Sequence, residues 1–327
     1  MTRVVTLSPS GRTIEVQPGE TILEAALRNG VAVSYHCDNG SCGSCRARIL
    51  DGALADTLPH DYVFSEADRQ HPMLLMCRAR PATDMVIEAA EAHSPRDIPP
   101  QQIHTCVTKI EPIGSDVRIL HLRTPRSKTL RFLAGQYVRL SIGAARYHKS
   151  IASCPCNGRD LQFHFRRNDD PFIEHVFEGL KLRDAVVLDG PFGNFTLDED
   201  SGRAVVFVAG ALGFAPVKSL IEHLIALEWS RPVRLYWLDS GDGHHYLENY
   251  CRSWRDALED FDYRLAPAND FDGLKAFVGG LGEADFYVSV PEQSRAPVSG
   301  VLGNLAVVPG RMRLDDFSRL YPALAPA

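Results

Sequence analysis

Apolar and polar positions alternate with period two over residues 3–7 and 13–16, which predicts two strands at the start of the chain. After a Pro18-Gly19 turn the period lengthens, and Ile22, Leu23, Ala26 and Leu27 form the apolar stripe of a helix. Thr21 and Glu24 make a capping box ahead of it, and Gly30 stands where a left-handed residue closes it. Further strands are expected at 46–50, before an Asp51-Gly52 turn, and at 85–87, with a short apolar run over 73–77. The periodicity then stops: SPRDIPP, residues 94–100, has three prolines in seven positions and reads as a linker.

Beyond the linker, residues 117–123, 130–142 and 160–166 alternate with period two between closely spaced turns. That pattern predicts a small antiparallel barrel, closing near GPFGNF at 190–195. From residue 203 the texture changes, with the unbroken apolar AVVFVAG at 204–210, a glycine-rich turn and the amphipathic VKSLIEHLIAL at 217–227. Strand, glycine turn and helix open a βαβ unit, and apolar runs at 233–238 and 285–290 supply more strands of a doubly wound parallel sheet.

A chain of 327 residues is too long for one ordinary core, so two or three domains are expected. No apolar run approaches the roughly 20 residues that span a bilayer, and the start lacks the apolar region of a signal peptide. The expected location is therefore the cytoplasm. A net charge of -6 without a basic cluster argues against nucleic acid as a partner. Residues 1–94 hold twelve Asp and Glu against eight Arg and no Lys, a mild acidity that suits solubility or a basic partner. Eight cysteines in a chain with no export signal point toward metal or redox chemistry.

Three of those cysteines crowd into YHCDNGSCGSCR, residues 35–46. Cys37, Cys42 and Cys45 have C-x4-C-x2-C spacing, and Cys77 follows 32 positions later, the pattern of plant-type [2Fe-2S] ligation. Two irons and two sulfides need thiolates from several directions, so a loop supplies three and a distant segment the fourth. Gly40 and Gly43 let the backbone wrap closely and aim its N–H groups at the sulfurs. A zinc site would more often show paired C-x2-C knuckles. Cys154-Pro155-Cys156 is too tight for a relaxed disulfide and reads as incidental thiols, and His244-His245 as a surface loop. Trp229, Trp237 and Trp254 are expected in the core.

YHCDNGSCGSCRARILDG with LLMCRA resembles the bacterial [2Fe-2S] ferredoxin-NAD(P)H reductase family, the electron-transfer components of multicomponent oxygenases and related deoxysugar reductases. FLAGQY, GPFG, VFVAG, APVKS and a late DDF extend the likeness over essentially the whole chain. The resemblance implies a multidomain α+β and α/β fold: a β-grasp ferredoxin domain at 1–94, a linker at 95–101, a flavin-type antiparallel barrel at 102–200 and a nicotinamide-type parallel-sheet domain at 201–327. It also implies that hydride passes from NAD(P)H to FAD and that single electrons leave through the cluster to an oxygenase or other redox partner. FAD would lie against Gln136, Tyr137 and the segment from Tyr147 to Ser150, and NAD(P)H would approach through Gly210, Gly213 and Pro216. No catalytic residue is singled out.

Four positions depart from the family pattern. Its Arg-x-Tyr-Ser, in which the ring stacks on the flavin and the arginine pairs with phosphate, here reads Tyr147-His148-Lys149-Ser150, with Arg146 one position off. Its phosphate-cradling Gly-x-x-Ser at a helix start is replaced within NDDPFIEH, residues 168–175. Gly-Gly-Thr-Gly becomes Gly210-Ala211-Leu212-Gly213, and the late Cys-Gly-Pro becomes Ser289-Val290-Pro291. Two readings stand. The chain is either a working reductase or a degenerate one, without flavin or nicotinamide binding, that serves as a ferredoxin-like carrier or a bound subunit of an oxygenase complex.

Overall fold

The computed structural model describes residues 2–315 apart from His93, Asp242, Gly282 and Ala306, so most of the late DDF lies outside the described residues. β1 (Arg3–Ser8) and β2 (Thr13–Val16) pair antiparallel, and α1 (Ile22–Arg28) starts at Thr21 with both halves of the capping box formed. β3 (Arg46–Asp51), β4 (Leu54–Thr57), β5 (Met73–Leu75), β6 (Ala79–Pro81) and β7 (Met85–Ala89) complete the first unit. Its main sheet has the order β2-β1-β7-β3-β5 with β1 and β7 parallel, the expected β-grasp arrangement, and α1 buries Ile22, Leu23, Ala25 and Ala26 against it. The β4-β6 pair escaped the sequence pattern because β4 is mostly exposed and neither strand alternates.

The proline-rich stretch between the first two units carries a turn of its own. Ser94 and Asp97 form a capping box on a 3-10 turn, Pro95–Asp97, and Ile98 is buried with Ala92 and Leu133. Local turn chemistry, not proline count, decides that segment. β8 (Gln101–Ile113), β9 (Val117–Arg123), β10 (Tyr137–Ile142), β11 (Ala145–Ser150), β12 (Asp160–Arg166), the short α2 (Pro171–Glu174) and β13 (Ala185–Phe192) follow. The six strands make an antiparallel sheet in the order β11-β10-β13-β8-β9-β12. The strand expected over 130–142 begins only at Tyr137, because a turn at Gly135 interrupts it. Gly135 has φ +88°, and a Cβ there would lie 1.9 Å from the Phe195 carbonyl oxygen.

The last unit is β14 (Ala204–Gly210), α3 (Phe214–Ala226), β15 (Val233–Leu238), α4 (Glu248–Ala257), β16 (Phe261–Ala266), α5 (Phe271–Val278), β17 (Ala284–Ser289), α6 (Glu292–Asn304) and β18 (Met312–Leu314). All five strands are parallel, in the order β16-β15-β14-β17-β18. One face packs on α3 and α4 and the other on α5 and α6, as a doubly wound sheet requires. Trp237 and Trp254 are buried in the α3-α4 layer, and Trp229 packs at its edge.

Candidate iron-sulfur centre and the barrel face

The loop between α1 and β3 carries Cys37, Cys42 and Cys45, and the turn after β5 delivers Cys77. Cys37 Sγ lies 3.0 Å from Cys42 Sγ, and Cys45 Sγ lies 3.3 Å from Cys77 Sγ. Cys37, Cys45 and Cys77 are buried and Cys42 is exposed. The thiols thus form two close pairs, one for each iron of a two-iron cluster, whereas zinc gathers its four ligands about a single point. Among the described residues, no three His, Cys, Asp or Glu groups converge on one ion in that way. The donor set and its pairing fit a [2Fe-2S] cluster. Bound there, the cluster takes up and gives back one electron at a time.

The loop is held from both sides. The free Leu23 N–H in the first turn of α1 donates to Met76 O at 2.9 Å, and Met76 N–H donates to Cys45 O at 3.0 Å, so one chain of bonds places Cys77 beside Cys45. Gly40 and Gly43 have φ +75° and +69°. Tyr62 N–H donates to Gly40 O at 3.1 Å, and the Tyr62 ring lies where a Cβ on Gly43 would be. Ser44 N–H points at Cys42 Sγ from 3.5 Å. Burial works to raise the Cys37 thiol, but hydrogen bonds from Cys42, Ser41 and the Asn39 backbone outweigh it and bring it to about 7. On the barrel side, Asp38 N–H donates to Arg126 O at 3.3 Å, and Arg131 donates to Ser34 Oγ at 3.1 Å. These tethers were not evident in the sequence, where their partners stand far apart.

The expected flavin residues do come together. Tyr137 lies opposite Ser150, and Leu140 opposite Tyr147, on the paired β10 and β11. Except at Ser150, however, their side chains are committed to the protein. Gln136 accepts from Leu133 N–H at 2.8 Å and donates to Gly193 O at 3.2 Å, and Tyr137 packs on Phe192 and Leu212. Tyr147 and Lys149 share the barrel's inner face, 6% and 1% exposed, with Tyr147 stacked on Phe172 at 5.2 Å and Lys149 Nζ 5.0 Å above the Phe165 ring. Arg146 is turned out to solvent and donates to Gly143 O and Ala145 O in its own hairpin. At α2, the Asp170 carboxylate accepts the Phe172 and Ile173 N–H groups, so the helix start is capped by the chain's own anion. Ser150 Oγ is buried without a partner. At the residue level these positions do not fit a bound FAD, because neither phosphate contact has a cation or free amides to make it.

In the parallel sheet, the expected nicotinamide residues lie at the end of β14, in the turn after it and in the first turn of α3. A Cβ on Gly213 would meet Ser289 O at 1.9 Å, and one on Gly210 would meet Pro291 Cδ at 2.8 Å, so both glycines serve close backbone packing. Pro216 is buried in α3. Cys154 and Cys156 are joined in a disulfide, contrary to the expectation from their spacing. The 3-10 turn Pro155–Asn157 brings their Cα atoms to 5.1 Å, within bridging range. His245 Nε2–H donates to Trp237 O at 2.8 Å, in a loop as expected.

Two thiol pairs on a β-grasp unit, joined to a flavin-type barrel and a doubly wound sheet, define an iron-sulfur electron carrier built on a reductase scaffold. Comparison with known proteins agrees. Residues 5–82 match the 2Fe-2S iron-sulfur cluster binding domain, and residues 104–197 match the oxidoreductase FAD-binding domain. The chain is 33% identical over 251 residues, 76% of its length and 75% of the relative's, to the CDP-6-deoxy-L-threo-D-glycero-4-hexulose-3-dehydrase reductase of Yersinia pestis. It is 31% identical over 294 residues, 87% of its length and 86% of the relative's, to the aromatic O-demethylase reductase subunit of Amycolatopsis. The solved Amycolatopsis cytochrome P450 reductase GcoB superposes with a TM-score of 0.61 at 26% identity, covering 97% of this chain and 99% of that one. The chain belongs to the [2Fe-2S] ferredoxin-NAD(P)H reductase family. The matched domains support a [2Fe-2S] cluster and FAD at the level of the family, and NAD(P)H as donor is consistent with the relatives.

Proposed function

We propose that this chain is the electron-transfer component of an oxygenase system, passing electrons that originate in NAD(P)H through a [2Fe-2S] cluster at Cys37, Cys42, Cys45 and Cys77 to a partner oxygenase in the cytoplasm. The pairing of the four thiols carries this reading. It is supported by relatives that are reductase components of a phenol 2-monooxygenase in Pseudomonas and a terephthalate 1,2-dioxygenase in Comamonas. Within this reading the chain's own residues have distinct tasks. Gly40, Gly43 and Tyr62 shape the loop, Met76 fixes the fourth thiolate, and exposed Cys42 sets one edge of the centre near solvent, where an electron leaves over the shortest path. The units follow the divisions 1–94, 95–101, 102–200 and 201–327, which limited proteolysis of the holoprotein would locate.

The test is stopped-flow mixing of the anaerobically purified, chemically reduced chain with purified terminal oxygenases of the ring-hydroxylating and cytochrome P450 types. Reoxidation of the cluster in step with reduction of one oxygenase is the expected result. A chain that binds no iron, or a reduced cluster that none of them reoxidises, overturns the reading.

A further inference from the structure

We propose that the barrel of this chain has lost its flavin seat to its own side chains, so that the cluster is reduced by a separate NAD(P)H-dependent flavoprotein. This rests on the electron-carrier reading above and concerns only where the electrons enter. The stretch expected to hold the cofactor runs along the inner face of β11 to the start of α2, and apart from Ser150, whose buried Oγ has no partner, the chain's own side chains fill it. The Tyr147 ring lies on Phe172 at 5.2 Å with 21° between planes, and it belongs with Phe165, Ile173 and Val176 to the barrel core. An aromatic stack therefore fills the space where a phosphate would lie between strand and helix. The amides that would face that phosphate are taken by Asp170, at 2.8 Å from Phe172 N and 3.4 Å from Ile173 N, and a second anion there would be repelled.

The route from the parallel sheet is closed independently. Tyr246, from the segment after β15, reaches across to the barrel, with its hydroxyl 2.8 Å from Nδ1 of the fully buried His164. Its ring packs edge-on against Phe214 and Trp237, which are themselves stacked at 3.7 Å. Beside it, Lys218 Nζ, 1% exposed, bonds Ala152 O, Gln162 Oε1 and Glu222, and Ser219 Oγ donates to Ser153 O at 2.7 Å. A hydride would have to cross an interface that is already a continuous set of direct contacts between barrel and sheet.

In the balanced step, the donor protein's two-electron-reduced flavin is oxidised in two single-electron transfers and releases its two protons to solvent. Each electron reduces one cluster, which is then reoxidised by the oxygenase.

The experiment uses the full chain purified anaerobically, with iron and flavin counted, titrated with FAD while flavin fluorescence is followed, then given NADH alone and NADH with a purified NADH-dependent ferredoxin reductase. The expected result is a cluster with flavin far below one per chain and no saturable FAD binding up to about 1 mM. NADH alone should give no bleaching, and adding the reductase should bleach the cluster fully. Saturable FAD binding, or bleaching by NADH without added reductase, overturns the inference and leaves the carrier reading intact. Loss of the cluster itself would instead count against the carrier reading. Because Tyr246→Ala opens the sheet side while leaving β11 and α2 filled, it should still bind no FAD. Stoichiometric FAD in that variant would show a gate in place of a lost seat and would also overturn the inference.

Discussion

Gly43→Ala is the sharpest perturbation of the cluster loop. Gly43 has φ +69°, and an added Cβ would fall 2.1 Å from Tyr62 Cε2 and 2.3 Å from Tyr62 Cζ. Holding a non-glycine residue in the left-handed region costs about 1–2 kcal/mol. Displacing a packed ring adds about 1–3 kcal/mol. Together, about 2–5 kcal/mol corresponds to a factor of roughly 30 to several thousand in the population of the closed loop. The assay is the rate at which the visible cluster absorbance decays in the presence of an iron chelator. Gly43→Ala should lose its cluster at least about tenfold faster than the parent, given the tenfold change per 1.4 kcal/mol. Tyr62→Ala in the same chain removes the clash but not the backbone strain, so the double variant should decay more slowly than the two single effects added together predict. A cluster lifetime in Gly43→Ala equal to the parent's, or strictly additive effects, would refute the account of why the loop needs glycine there.

Burial drives the Lys149 ammonium well below its ordinary range, so the folded chain binds one proton fewer there than the unfolded chain at pH values between the two pKa values. Stability should therefore rise with pH relative to Lys149→Met, by up to about 1.4 kcal/mol per pH unit between roughly pH 8 and 10. Denaturant melts of both proteins across that window check the slope difference, and equal slopes would contradict a neutral Lys149. Gly213→Ala puts a Cβ 1.9 Å from Ser289 O and should destabilise the parallel-sheet unit by about 3 kcal/mol. The fluorescence of Trp229, Trp237 and Trp254, all in that unit, reports the shift. Thr21→Ala removes one half of the capping box and should cost about 1 kcal/mol, seen as a lower melting temperature of the cluster unit.

The cluster loop was legible because its chemistry is local: three ligands and two left-handed glycines fall within nine residues, and only Cys77 had to be found at a distance. The parallel sheet announced itself through apolar runs that no solvent-facing strand could carry. The barrel face was harder. In sequence, Tyr147, Lys149 and Arg146 left a working and a degenerate flavin site both open. Side-chain direction resolves it, with Arg146 turned to its own hairpin and Tyr147 packed inside. The contacts that close the barrel against the sheet had no local signature, since His164 and Tyr246 stand 82 positions apart. The interruption of the strand expected over 130–142 depends on the close approach of Gly135 to Phe195, which periodicity does not register.

The most direct test of the central claim is quantitative electron paramagnetic resonance of the full chain, purified anaerobically and reduced with dithionite. Four thiolates arranged as two pairs predict one unpaired electron per chain with the anisotropic signal of a reduced [2Fe-2S] cluster, lost in Cys77→Ser. A silent reduced protein with full iron content, or a signal that survives Cys77→Ser unchanged, would contradict the assignment.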